Sequence, residues 1–238
     1  MGVLRVSEHL PPCVIINTVV QVLSSVVPEK VHNKRLKQSS RNWVQRQIND
    51  PYVAMAKASG YRTRAAFKLV EIQKKFGVLK KSSIVVDLGA APGSWSQVAS
   101  TLCKQVIAVD LLDIKPLPGV HFIRGDFLEE ATVRLVVDAL DGERVDVVLS
   151  DMAPNSCGIK KVDHIRITSL VEAVYEFCDE MLRPGGAMIA KVFQGGASPD
   201  ILCNLKRRFQ TVTHFKPTAS RKESPELYLI STGFRSPH

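Results

Sequence analysis

From Ser83 onward, short runs of apolar residues alternate with amphipathic stretches. The runs at Ile84–Leu88, Val106–Leu111, His121–Arg124, Val145–Ser150 and Ala187–Phe193 have strand length and hardly any polar interruption. Between them, Ser94–Leu102, Glu129–Leu140, Ile165–Leu182 and Pro199–Phe209 carry the three- and four-residue spacing of helices. Continuous apolar strands separated by helices predict an α/β protein with a doubly wound, mostly parallel sheet. The end of the chain differs. Val212–Phe215 and Leu227–Thr232 are two further strands joined by a Lys-, Arg-, Ser- and Pro-rich loop with no helix between them. They predict an antiparallel closing pair and bring the sheet to seven strands.

Ahead of this body, Trp43, Val44, Ile48, Tyr52, Val53, Met55, Ala66, Phe67, Leu69, Val70 and Ile72 recur at helical steps from Arg41 to Lys75. Pro51 and Gly60 divide that run into two or three helices. Residues 1–39 read as an N-terminal extension, for which a flexible arm and an organellar targeting segment both stay open. Its Ser39-Ser40 end reads as a helix cap. Residues 40–238 are expected to form a single domain, with 40–81 as its basic helical part.

Charge sharpens that division. The chain carries a net charge of +9, yet residues 1–81 hold 15 basic and 4 acidic residues while residues 82–238 hold 17 and 19. A near-neutral body with a basic N-terminal third fits either one positive face for a polyanion or a solvated basic arm. Arg41, Arg46, Lys57, Arg62, Arg64, Lys68, Lys74 and Lys75 precede the sheet, and Arg221 and Lys222 lie in the last loop. The five cysteines form no CxxC pair and have no histidine cluster near them, so neither a disulfide framework nor a metal site is expected. The most apolar segment, Leu10–Val27, is broken by Pro11, Pro12, Asn17 and Gln21, and no membrane span is expected.

The chemistry concentrates at the predicted carboxyl ends of the strands. The first strand ends in DLGAAPGSW, residues 87–95, a small-residue turn that lets a ligand approach the backbone. Asp110 ends the second strand, and Asp126 follows the third in RGDF. Each aspartate alone could cap a helix or hold a ligand; three at successive strand ends favour a site. Asp110 is placed to hold ribose hydroxyls and Asp126 an adenine amino group. The turn reads GAAPG, not GxGxxG, and no basic residue neighbours it in sequence. Those features fit S-adenosylmethionine, a phosphate-free cation, better than a dinucleotide.

At the end of strand four, VVLSDMAPN puts Asp151 beside this pocket. Pro154 is followed by no aromatic residue to stack a flipped base. Cys157 is three residues past Pro154 and is expected to be a small, at least half-buried residue rather than a nucleophile. Lys191 lies inside the apolar strand GAMIAKVF. It is either a snorkelling lysine or a desolvated amine able to act on a hydroxyl, and its place next to Asp151 favours the second.

These segments together resemble the FtsJ-like family of ribosomal RNA ribose 2′-O-methyltransferases of bacteria and mitochondria. The resemblance runs from Ser40 to Gly233, on RxxFKL at 64–69, DLGAAPGSW at 87–95, GDF at 125–127, SDMAPN at 150–155, KVFQG at 191–195 and SRKESPELY at 220–228. It implies a Rossmann-like class I methyltransferase fold and a Lys-Asp-Lys-Glu catalytic set at Lys68, Asp151, Lys191 and Glu226. It implies S-adenosylmethionine contacts at Gly93, Trp95, Asp110, Asp126 and Asp151. The implied substrate is a large-subunit ribosomal RNA nucleotide, a uridine, methylated late in assembly by a monomer in the bacterial cytoplasm. The alternatives are a mitochondrial matrix setting, a transfer RNA substrate, or a non-catalytic assembly factor. Ser94 stands where the family commonly has glycine, and residues before 40 inherit nothing from the resemblance.

Overall fold

The computed structural model describes residues 37–154, 157–195 and 198–236. The expected N-terminal extension therefore lies outside the described residues up to position 36, as does Asn155 of the SDMAPN segment. Contacts divide the chain at Gly60 into two compact units.

The first unit contributes helices α1 (Gln38–Ile48) and α2 (Pro51–Ala58). Pro51 opens α2, where its missing N–H costs nothing, and the Asp50 carboxylate accepts the Tyr52 amide at 3.1 Å. The expected cap at Ser39-Ser40 is not formed: both residues lie within the first turn of α1, and Lys37 holds the cap position without a side-chain bond.

The second unit runs α3 (Ala66–Phe76), β1 (Ile84–Leu88), α4 (Ser94–Ser100), β2 (Gln105–Asp110), β3 (Val120–Arg124), α5 (Glu130–Leu140), β4 (Val145–Ser150) and α6 (Lys160–Met181). It continues with β5 (Leu182–Phe193), α7 (Pro199–Arg208), β6 (Phe209–Phe215) and β7 (Glu226–Phe234). The seven strands form one sheet in the order β3-β2-β1-β4-β5-β7-β6. Pairings from β3 to β5 are parallel, and β7 is antiparallel to both neighbours. The doubly wound sheet and its antiparallel close are thus as the apolar pattern predicts.

Two boundaries differ from expectation. Helix α6 starts at Lys160 rather than near Ile165; its polar first turn and an N-cap, Ile159, without a side-chain acceptor hide that start from the apolar pattern. Strand β5 starts at Leu182, before the turn-like Arg183-Pro184-Gly185-Gly186. Val145 pairs with Leu182 and Val147 with Ala187, so residues 183–186 bulge against only two steps of β4, with 183–185 exposed and Gly186 buried.

Strand periodicity decides which face each residue serves. Val86, Leu88, Ile107, Val109, Val148 and Met188 pack under Val136, Val171, Phe177 and Leu205 from α5, α6 and α7. Val85, Val147, Leu149, Ile189, Tyr228 and Ile230 pack on the other face with Ala66, Leu69 and Ile72 of α3 and Trp95, Val98 and Ala99 of α4. Counting by twos along the strands, Asp87, Asp151, Lys191 and Glu226 all fall on the α3 side.

Candidate active site

That shared face explains how residues from four distant stretches meet. In the parallel β4–β5 pair Ser150 lies opposite Ala190, so the next residues, Asp151 and Lys191, are neighbours at the sheet edge. In the antiparallel β5–β7 pair Lys191 is opposite Tyr228, two residues from Glu226. Helix α3 crosses this edge and contributes Lys68.

The geometry is tight. The Lys191 Nζ is 2.7 Å from Asp151 Oδ1 and donates to the Asp151 carbonyl, also at 2.7 Å. The Lys68 Nζ donates to Glu226 Oε2 at 3.0 Å and is 3.6 Å from Asp151 Oδ1. Both lysines are 8% exposed, so each buries a cation that needs anionic partners and has them. The Tyr228 hydroxyl donates to Asp151 Oδ1 at 2.5 Å, and its ring has the Lys68 Nζ 5.6 Å from the centroid. Burial pushes the Asp151 carboxyl up, but Lys191, Lys68 and the bonds from Lys191 and Tyr228 outweigh it and hold the group below its ordinary range. Burial, reinforced by Asp151 and Glu226, drives the Tyr228 phenol well above its own. The arrangement is two amines and two carboxylates around one point, able to orient and deprotonate a hydroxyl.

The other expected residues line the ends of β1 to β3. Gly93 caps α4 at φ 96°, and a Cβ there would lie 2.8 Å from the Arg62 guanidinium and 3.1 Å from Ile114. Glycine is required on both counts. Ser94 begins the helix without such strain, and its hydroxyl pairs with that of Thr63 at 2.7 Å. Asp110 accepts the amides of Ala91 and Leu112, each at 2.8 Å, and thereby ties the glycine turn to the end of β2. Asp126 accepts the Leu128 amide at 3.0 Å. Both aspartates therefore fold the turns that follow β2 and β3. The Trp95 indole is buried, donates to the Ala65 carbonyl at 2.9 Å and packs near Tyr228, which leaves only its backbone to meet a ligand.

Asp87 completes this side. Its Oδ2 accepts the Ser96 hydroxyl at 2.6 Å, while its buried Oδ1 has no hydrogen-bond partner among the described residues. Burial, with smaller contributions from Asp151 and Asp110 and against the Ser96 bonds, pushes its carboxyl up to about 7.

Several features run against or beyond the sequence reading. Cys157 is exposed, not half-buried, although its amide is held by Asp163 Oδ1 at 2.9 Å. An arginine does adjoin the glycine turn: Arg62 donates to the carbonyls of Pro92, Lys115 and Pro116. With those donors committed to main chain, it clamps the two walls of the cleft together. Tyr228 was legible only as the second inward residue after Glu226; Arg62, whose partners are carbonyls 30 to 54 residues away, left no signal. Among the described residues no His, Cys, Asp and Glu group has the arrangement of a metal site.

Known proteins share these features. Residues 61–234 match the family described as FtsJ-like methyltransferase. Ribosomal RNA large subunit methyltransferase E of Rickettsia bellii is 51% identical over 207 residues, covering 84% of this chain and 91% of that protein. Its namesake in Acidiphilium cryptum is 52% identical over 203 residues, covering 85% and 90%. A Plasmodium falciparum crystal structure named as a ribosomal RNA methyltransferase is 30% identical, with a TM-score of 0.67, over 74% of this chain and 100% of that one. A match across the whole sheet, joined to about half-identity along nearly full-length relatives, establishes that the chain belongs to the FtsJ-like methyltransferase family.

Proposed function

We propose that the protein transfers a methyl group from S-adenosylmethionine to a ribose 2′ hydroxyl, a uridine's, in large-subunit ribosomal RNA. The observation that carries this reading is the buried Lys68–Asp151–Lys191–Glu226 cluster, closed by contacts of 2.7 to 3.6 Å. The names of the half-identical relatives support the substrate.

The residues fit the cofactor. The acidic Asp110 at the end of β2 and Asp126 beyond β3 suit a cationic, phosphate-free nucleoside, and Gly93 adds no side chain to the turn beside them. When bound, the cofactor supplies an electrophilic methyl group on a sulfonium. Asp110 would hold its ribose, Asp126 its adenine amino group, and Gly93 and the Trp95 backbone its approach to the turn.

The remaining work falls to the chain's own side chains. Lys191, fixed by both the carboxylate and the carbonyl of Asp151, holds the developing alkoxide as a cation or, once it has released its own proton to solvent, removes the 2′ hydroxyl proton. Lys68, fixed by Glu226, orients the ribose. Burial of the cluster excludes water and strengthens each of these charges. Holding both reactants in one geometry contributes much of the rate. A loop-borne ribose on the assembled subunit is the accessible target. No described helix is long and apolar enough to cross a membrane. We place the enzyme, as a monomer, in the bacterial cytoplasm, with the mitochondrial matrix as the other setting.

The test is transfer of labelled methyl to isolated large subunits, naked ribosomal RNA and transfer RNA. The proposal expects label on the large subunit, at a linkage that resists alkaline cleavage. Label confined to transfer RNA, or none at all, overturns it.

A further inference from the structure

Lys68, Glu71 and Lys75 are spaced by three and four residues along one stripe of α3, and Arg64 stands in the turn just ahead of the helix. Each meets the β6–β7 hairpin. Arg64 donates to the Ala219 carbonyl, and Lys68 reaches Glu226. Glu71 accepts the Thr218 amide at 2.6 Å, the Thr218 hydroxyl at 2.7 Å and the Ala219 amide at 2.9 Å. The Lys75 Nζ sits 4.4 Å from the centroid of the Phe215 ring.

The hairpin loop is braced from within as well. Lys216 Nζ donates to the carbonyl of Ser224 at 2.8 Å and of Lys222 at 3.4 Å, and the Gln194 amide donates to the Pro225 carbonyl at 2.5 Å. Around this seam Lys74, Lys75, Lys216 and Lys222 are exposed and Arg221 is half-buried, with Glu223 the one exposed acid of the loop. Glu71, on the seam like Glu226, has its two oxygens bonded to three donors of the loop.

We propose that this seam is the track along which the RNA backbone leaves the ribose site, and that Glu71 is the positioning residue that assembles it. The inference rests on the RNA substrate proposed above. From Lys68 to Lys75 the track extends about 10 Å along the helix. Its cations would contact phosphates without reading bases, so its signature is salt-dependent affinity.

The experiment is steady-state methyl transfer to isolated large subunits over a range of salt. The wild type is compared with Glu71→Ala, Glu71→Gln, Thr218→Ala and the double variant Lys75→Ala/Lys222→Ala. Glu71→Ala is expected to raise KM for the subunit about tenfold. Cofactor affinity should stay within about twofold and kcat within a few-fold. Glu71→Gln, which keeps one acceptor oxygen, recovers part of the loss. Thr218→Ala removes a single exposed hydroxyl and shifts KM the same way by less, so the claim stays testable if Glu71→Ala does not fold. The double variant is expected to keep the wild-type melting temperature while its log–log salt slope shrinks by about 1.5. Wild-type KM and salt slope in the Glu71 and double variants overturn the seam alone. A wild-type protein that methylates no ribosomal RNA overturns the reading of function beneath it.

Discussion

The two halves of the cleft are built by different means. On the β1–β3 side, the aspartates sit at strand ends and two of them bond to amides of their own or adjacent turns: Asp110 to Ala91 and Leu112, Asp126 to Leu128. On the β4–β5–β7 side, every functional contact joins residues far apart in the chain, as Lys68 with Glu226 and Tyr228 with Asp151. The first half needs only correct local turns on a correct sheet. The second half exists only when α3, β4, β5 and β7 have all docked. One carboxyl group of the second half also contrasts in sign with one of the first: cations hold Asp151 down, whereas burial with like-charged neighbours drives Asp87 up.

Removing the hub of the second half is expected to have the largest effect. Asp151→Ala takes the carboxylate from buried Lys191 and loosens Lys68, which keeps Glu226, and should destabilise the protein by about 3–5 kcal/mol while abolishing methyl transfer. Denaturant unfolding alongside an activity assay checks both. A protein as stable as wild type would mean that the lysines reach water instead.

The first half should reveal itself through pH. The folded state keeps the Asp87 proton up to about 7, against an ordinary value of 3.8, so it binds that proton more tightly than the unfolded chain. The cost of ionising Asp87 is then absent below about pH 4, grows as pH rises, and is complete above about 7, reaching about 4 kcal/mol at most. Asp87→Asn should therefore gain stability over wild type progressively across that window, as followed by melting temperatures of both proteins. Asp151 acts in the opposite sense, giving stability that is lost as pH falls below its ordinary range. A constant difference between Asp87→Asn and wild type from pH 4 to 8 would contradict the burial argument.

A smaller effect is expected from Asp110→Ala, which frees the glycine turn without touching the lysines. Cofactor affinity should fall about 10- to 100-fold, the worth of charge-assisted bonds, with kcat recovering at saturating cofactor. Calorimetric titration with S-adenosylmethionine measures the first and initial rates the second. A loss in kcat that cofactor cannot restore would erase the distinction between the halves.

How much of this the amino-acid sequence conveys follows the same division. Strands β1, β2, β4 and β5 were legible because burial on both faces makes them near-continuous apolar runs, as in Val145–Ser150, whereas β3 is largely half-exposed. The aspartates of the first half were legible because strand ends are where such a sheet binds ligands. Lys191 stood out as a charge within an apolar strand, but the placing of Lys68 and Glu226 in the same cluster came through resemblance, since no local pattern encodes a pairing 158 residues apart. The role of Glu71 was invisible for the same reason: it looks like any solvated glutamate on a helix, and its partners are 147 and 148 residues away. Cys157 was misjudged because its exposure depends on the loop beyond β4, which carries no period.

The most direct trial of the central claim is Lys191→Ala, with single-turnover methyl transfer to isolated large subunits and cofactor affinity measured on the same preparation. Transfer should slow by at least about 100- to 10,000-fold while the cofactor dissociation constant stays within about twofold. Transfer at the wild-type rate, or a loss fully explained by weakened cofactor binding, would contradict the assignment of the Lys68–Asp151–Lys191–Glu226 cluster as the reaction centre.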